Sequence, residues 1–101
     1  MEHRDLPPVH PGEILLEDFL IPLNITRYRL AKSIGVSQRR IDEICAGNRA
    51  ITAETALRLA HFFNTDAQTW LNLQAHYDLE CLELRMAERI EREVIPFKKA
   101  A

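Results

Sequence analysis

Apolar positions along this chain recur at spacings of three and four residues. A period of two is nowhere sustained, so the pattern predicts an all-α domain. Five helices are expected. The first begins at Pro11, where proline gives up only an N–H that a helix start leaves unpaired. Glu13 stands near the positive end of the helix dipole, placed to reach back to the preceding backbone as in a capping box. Leu15 and Phe19 are spaced to face a core, and Pro22 disfavours helical geometry at Ile21, which sets the expected end. Asn24 tolerates the left-handed geometry of a helix junction. Thr26 is the expected N-cap of the second helix, whose inner face is Leu30, Ala31 and Ile34. Gly35 ends it by supplying positive φ without steric cost. Val36 plugs the turn, Ser37 caps the third helix, and Ile41, Ile44 and Cys45 point inward until Gly47 stops it. Thr52 caps a fourth helix with the inner stripe Ala56, Leu57, Ala60 and Phe63, closed by Asn64.

Asp66 caps a last helix that runs to about Val94, with Pro96 beyond it. That span is about 28 residues, or roughly 42 Å at 1.5 Å per residue. A domain of this size does not need such a rod, so part of it is expected to project, bend or break. One apolar stripe is Leu71, Ala75, Leu79, Leu82, Met86 and Ile90; a second is Trp70, Leu73, Tyr77, Cys81 and Leu84. One stripe can cover the other four helices, and the second then needs a further partner. Leu79, Leu82, Met86 and Ile90 are the candidate dimer or partner surface. The expected organisation is a flexible arm over 1–9, one domain over 10–95 that includes the last helix, and a tail over 96–101.

Two short helices joined at a glycine, with basic and polar residues on the outer face of the second, have the layout of a helix-turn-helix DNA reader. Gln38, Arg39 and Arg40 fill the first turn of the third helix. Arginine pairs with guanine O6 and N7, and glutamine with adenine N6 and N7. Glu43, one turn on, either accepts from cytosine N4 or orients an arginine. Arg27 and Ser37 at helix starts, and Asn48, Arg49 and Thr52 between the third and fourth helices, are candidate phosphate contacts, since free N–H groups there favour anions. Taken singly, each has a plain account as a cap or a solvated surface charge. The succession of cap, turn and matching upstream helix favours DNA.

The formal net charge of −2 argues mildly against a nucleic-acid partner, but the charge is uneven. Six basic and two acidic residues between Thr26 and Arg49 leave a local +4, while seven acidic and three basic residues from Asp66 to Ile95 leave −4. A basic middle and an acidic last helix suggest two surfaces with different partners. At 101 residues, 47% hydrophobic and 28% charged, the chain can bury one core and is not a disordered tail. No apolar run approaches the roughly 20 residues of a membrane helix. Residues 1–8 lack the apolar region of a secretory signal, so the expected compartment is the cytoplasm. Cys45 and Cys81 have apolar neighbours and no metal-ligand spacing, and are expected to be buried reduced thiols. His3, His10, His61 and His76 form no zinc pattern, and no phosphate loop, nucleophile elbow or convincing carboxylate pair is present. No cofactor, metal or catalytic activity is expected.

From Val9 to about Leu79 a series of segments carries a resemblance. They are His10-Pro-Gly-Glu-Ile-Leu, Leu30-Ala, Gly35-Val-Ser, Arg49-Ala-Ile-Thr-Ala-Glu-Thr-Ala-Leu-Arg-Leu-Ala and Trp70-Leu-Asn-Leu-Gln. Together they resemble the HigA antitoxins, a branch of the lambda-repressor-like (XRE) helix-turn-helix group. The first and last segments are the specific ones. The resemblance implies a bacterial, nucleoid-associated protein that neutralises a HigB-like mRNA-endonuclease toxin. It also implies a homodimer that represses its own operon on a palindromic operator of double-stranded DNA. On that pattern Gln38, Arg39 and Arg40 read bases, with Arg27, Asn48 and Arg49 near phosphates. Asn24 and Asn64 stand where the family often has glycine, and Asn48 where it often has a basic residue. The alternatives are an orphan regulator of the same group without a toxin, and a protein-interaction module with a vestigial DNA face.

Overall fold

Thr26, Ser37, Thr52 and Asp66 each accept a hydrogen bond from the backbone N–H three residues on, at 3.0, 3.1, 3.4 and 3.2 Å. Each therefore opens a helix as expected. The computed structural model describes residues 6–99. The first five residues of the expected arm and the last two of the expected tail lie outside the described residues. The helices are α1 (Pro11–Ile14), running on directly as a π-helical segment (Leu15–Leu20), then α2 (Arg27–Ile34), α3 (Gln38–Cys45), α4 (Ala53–Phe63) and α5 (Ala67–Glu93). The fold is all-α.

The first helix departs from expectation in two ways. Its cap is His10, whose imidazole Nδ1 accepts from the Gly12 N–H at 2.8 Å, while Glu13 is exposed. Its later turns widen, with Ile21 N–H donating to Leu16 O and Ile25 N–H to Leu20 O, five residues back. Such bonding brings residues five apart onto one face, and Leu15 and Leu20 are both buried. Ile21 keeps helical dihedrals despite preceding Pro22; the chain turns instead at Asn24, with φ 60°.

Leu15, Leu20, Leu30, Ala31, Ile34, Ile41, Ile44, Ile51, Ala56, Leu59 and Trp70 form the core. In α4 the inner stripe is Thr55, Ala56, Leu59 and Ala60. The expected Leu57 is 60% exposed and stands with Ile34 and Phe62 on an open groove between α2 and α4. Rotating the helix by one position puts Leu59 inward in its place.

α5 is unbroken over 27 residues, about 40 Å at 1.5 Å each. The molecule measures 58 × 30 × 21 Å. The stripe that covers the body is the Trp70 one, with Leu73, Tyr77 and Cys81 half-buried, and with Gln74 and Glu80 buried beside it. Leu84 leaves that stripe for solvent. Leu79, Leu82 and Ile90 are exposed, Met86 is half-buried, and Val94, Ile95 and Phe97 beyond them are exposed too. No helix among the described residues is long and apolar enough to cross a membrane.

Candidate nucleic-acid interface

Ile41 and Ile44, fully buried, fix the inward direction of α3. At about 100° per residue, Arg39 then points straight away from the core. Asp42 and Glu43 flank it, and Gln38 and Arg40 stand on opposite sides of the helix. Exposure follows this order: the Arg39 side chain is 84% exposed and that of Arg40 31%. Arg40 leans toward α4, where Glu54 lies 3.9 Å away. Gln38 is exposed at the helix start behind the Ser37 cap.

The turn into α3 is set by Gly35, at φ 79°, with Gly35 and Val36 both donating to the Ala31 carbonyl. Arg58 of α4 braces the same end of α2, its Nη1 donating to the Ile34 carbonyl at 2.7 Å. At the far end of α3, Gly47 donates to Ile44 O and Asn48 to Glu43 O, a Schellman closure with Gly47 at φ 82°. That closure folds Asn48 and Arg49 back beside the helix. Arg49 Nε donates to Glu43 Oε1 at 2.8 Å, and Arg39 Nε to Glu43 Oε2 at 3.0 Å. These bonds to Arg49 and Arg39 hold the Glu43 carboxyl below the usual carboxylate range. Arg27, at the start of α2, faces Asp42 at 3.7 Å.

Six of the nine expected site residues therefore share one surface built by α3 and its two flanks: Ser37, Gln38, Arg39, Glu43, Asn48 and Arg49. Arg27 sits at its α2 margin, and Arg40 and Thr52 at its α4 margin. The hydrophobic set Leu79, Leu82, Met86 and Ile90 lies apart, on the distal half of α5. Among the described residues no three His, Cys, Asp or Glu side chains gather as metal ligands. The two thiols are free and half-buried rather than fully enclosed, and burial pushes Cys45 up.

A helix-turn-helix family model matches residues 16–70, from the π-helical segment to Trp70. Virulence-associated protein I of Dichelobacter nodosus is 51% identical over 80 residues, 79% of this chain and 74% of that protein. An addiction module antidote protein of the HigA family from Coxiella burnetii superposes with a TM-score of 0.86 at 42% identity, over 91% of this chain and 100% of that one. The Pseudomonas aeruginosa antitoxin HigA, solved with the higBA promoter, gives 0.86 at 38% identity over 90% and 99%. The chain belongs to the HigA family of helix-turn-helix proteins.

In this HigA-family chain the two most specific motif segments brace α3 and the loop that follows it. In His-Pro-Gly-Glu, the residue that decides the packing is Gly12, whose added Cβ would overlap the Ile44 carbonyl of α3. His10 is buried with its ring edge-to-face on Tyr77, centroids 4.8 Å apart. Its Nδ1 accepts from the Gly12 N–H, and the ring lies within the influence of the Arg49 backbone. Burial holds this imidazole below its ordinary range; the nearby Asp78 charge and the Arg49 backbone act the other way. In Trp-Leu-Asn-Leu-Gln, Trp70 packs on Phe19 and donates Nε1–H to Thr65 Oγ1 at 3.2 Å. Gln74 accepts from the buried Ile51 N–H at 2.8 Å and donates to Asp78 at 2.9 Å. Gln74 thus ties Ile51, at the end of the stretch from Arg49, to the body, and His10 packs under the same loop beside Gly47. Residue-by-residue reading of the sequence missed this support because these contacts join residues far apart in the chain.

Proposed function

We propose that the chain is a sequence-specific DNA-binding antitoxin that represses its own operon as a dimer and neutralises a HigB-like toxin encoded beside it. The observation that carries the DNA part is the outward presentation of Arg39, with Gln38 beside it, on a helix capped at both ends and seated on the Gly12 backbone. A helix so presented enters the major groove with its first turn against base edges. In this reading Gln38 and Arg39 meet bases, with Arg40 on the α4 side and Glu43 behind. Arg27, Ser37, Asn48, Arg49 and Thr52 border the two phosphate strands, where helix N-termini add favourable N–H groups. The promoter complex of the Pseudomonas aeruginosa protein supports DNA as the ligand class.

The domain over 10–95 would pair through the apolar distal half of α5, setting two reading helices about 34–36 Å apart on a palindrome. The excess of acid on α5 favours a basic protein partner, since complementary charge speeds encounter. The site of action would be the cytoplasm, at the nucleoid.

Fluorescence anisotropy with the DNA upstream of the chain's own gene is the direct test. The expected preference over a scrambled duplex is about a thousandfold or more. Equal binding to both rules out the reading. Co-expression with the adjacent gene tests the toxin part: rescue of growth and co-purification are expected. Operator binding without rescue would leave a regulator that has no toxin.

A further inference from the structure

Glu43 is bonded differently from the other carboxylates of this face. Asp42 stands 3.7 Å from Arg27, too long for a hydrogen bond, and Glu54 takes both its hydrogen bonds on one oxygen from a single arginine of its own helix, Arg58, with Arg40 3.9 Å away. Glu43 instead accepts one hydrogen bond on each oxygen, from two arginines that reach it from different elements, Arg39 from the first turn of α3 and Arg49 from the loop after it. Both arginines use Nε. The bonds to Glu43 thus leave the two terminal nitrogens of each guanidinium, the edge that pairs bidentately with guanine or phosphate, for another partner. Glu43 itself lies one turn further along α3 than Arg39 and keeps a 30% exposed side chain. Exposed ion pairs of this kind contribute little to stability, so a two-arginine clamp here is poorly explained as a fold-stabilising device.

We propose that Glu43 is a positioning residue that sets DNA discrimination: it locks the base-facing fork of Arg39 and the phosphate-facing fork of Arg49 in one register without touching a base. This rests on the DNA-binding reading of α3. The clamp acts in two ways. It removes rotamer freedom from two long side chains before DNA arrives, so less is lost on correct docking. It also offsets part of their charge, which weakens attraction to any phosphate backbone regardless of sequence. Both effects widen the gap between operator and random DNA.

The test compares wild-type protein with Glu43→Ala, Glu43→Gln, Arg39→Ala and the Glu43→Ala/Arg39→Ala double variant. Each is titrated by anisotropy on the promoter duplex and on a scrambled duplex across a salt series. Circular dichroism confirms that each variant is folded. Glu43→Ala should lose about tenfold on the promoter, the scale of one good bidentate base contact. On scrambled DNA it should hold or gain affinity, with a salt slope steeper by roughly one unit. Glu43→Gln should behave in the same direction, because its amide puts an NH2 donor in place of one of the two oxygens, facing an arginine N–H. In the Arg39→Ala background, Glu43→Ala should lose most of its effect on the promoter. A promoter-to-scrambled ratio within about twofold of wild type in Glu43→Ala would overturn the clamp. So would a penalty confined to one C·G pair that persists without Arg39, which would mark direct base contact. Wild-type protein that fails to prefer its promoter removes the underlying DNA reading as well, whereas the other two outcomes remove the clamp alone.

Discussion

Gly12 lies so close to the Ile44 carbonyl that no side chain fits between them. The start of the first helix is thereby fitted against the backbone of the third, within the turn that precedes the loop carrying Arg49. Gly12→Ala cannot be absorbed by a rotamer change, since the obstacle is main chain. Overpacking of this kind costs about 1–3 kcal/mol, and the upper end is expected here. For a domain of this size that is a fall in Tm of about 10 °C or more. A thermal melt followed by circular dichroism checks it; a variant as stable as wild type would show that α1 can move away from α3 freely.

His10 makes stability depend on pH. Its folded-state pKa is lowered chiefly by burial, so the unfolded chain binds the proton more readily than the folded one. Stability is then fully present above the unfolded value of about 6.5 and is lost as pH falls from there toward the lowered folded value. Urea midpoints measured at pH 7.5 and 5.5 should differ, with the acid one lower. His10→Asn keeps an N-cap acceptor but cannot titrate, so its midpoint should fall less over the same interval. An equal fall in both proteins would place the acid sensitivity elsewhere.

The capping residues and turn glycines were legible because their effect is local. Thr26, Ser37, Gly35 and Gly47 act on backbone within a few positions of themselves. The outward face of α3 was legible for a related reason: Ile41 and Ile44 define its phase. What was not legible depends on distant partners. Leu57 and Leu59 are equally apolar, and only the placement of α4 against α2 and α5 decides which is inside. The π-helical turns are hidden because Leu15–Phe19 spacing suits an α-helix as well as Leu15–Leu20 spacing suits a wider one. The dual role of Glu43 was half visible: an arginine one turn earlier on α3 was an obvious partner, but Arg49 reaches it only through the Gly47 closure.

Gln74 offers a separate test of the scaffold. Its side-chain oxygen is the acceptor for the Ile51 N–H, and Ile51 is fully enclosed. Gln74→Leu fills similar space but strands that donor. A buried donor left unpaired costs about 1–3 kcal/mol. Chemical denaturation should therefore show a lower midpoint at unchanged slope. Hydrogen exchange at Ile51 should also speed up. Stability equal to wild type would mean that water or another group replaces the amide.

Arg39 and Arg49 should separate in their effects on DNA. Arg39→Ala removes a base-facing fork, so about 1–3 kcal/mol is expected to vanish on the cognate duplex, with relaxed choice at one base pair. Arg49→Ala should weaken all sequences alike and flatten the salt slope by roughly one unit. Anisotropy titrations on promoter duplexes carrying single base-pair changes distinguish the two. If Arg39→Ala weakens specific and random DNA by the same factor, it is a phosphate contact and the groove reading of α3 is wrong.

The distal half of α5 supplies the last prediction. Leu82 and Ile90 are 42% and 46% exposed, Met86 is half-buried, and Leu79 opens the same stripe at 59%. An apolar strip of this length beyond the body gains nothing from water, and its burial against a second copy removes it from solvent at about 25 cal/mol per Å². Placing glutamate at both Leu82 and Met86 sets four carboxylates in the proposed dimer seam, which desolvation opposes strongly. Both lie three turns or more along α5 from Trp70, so the core there is untouched and helix content and melting of the protomer should change little. Light scattering after size exclusion should move from twice the 11.7 kDa chain mass toward one. Operator affinity should fall steeply with it, because the second half-site loses its effective concentration. A variant that remains dimeric would put the seam on another surface and leave this strip for a different protein.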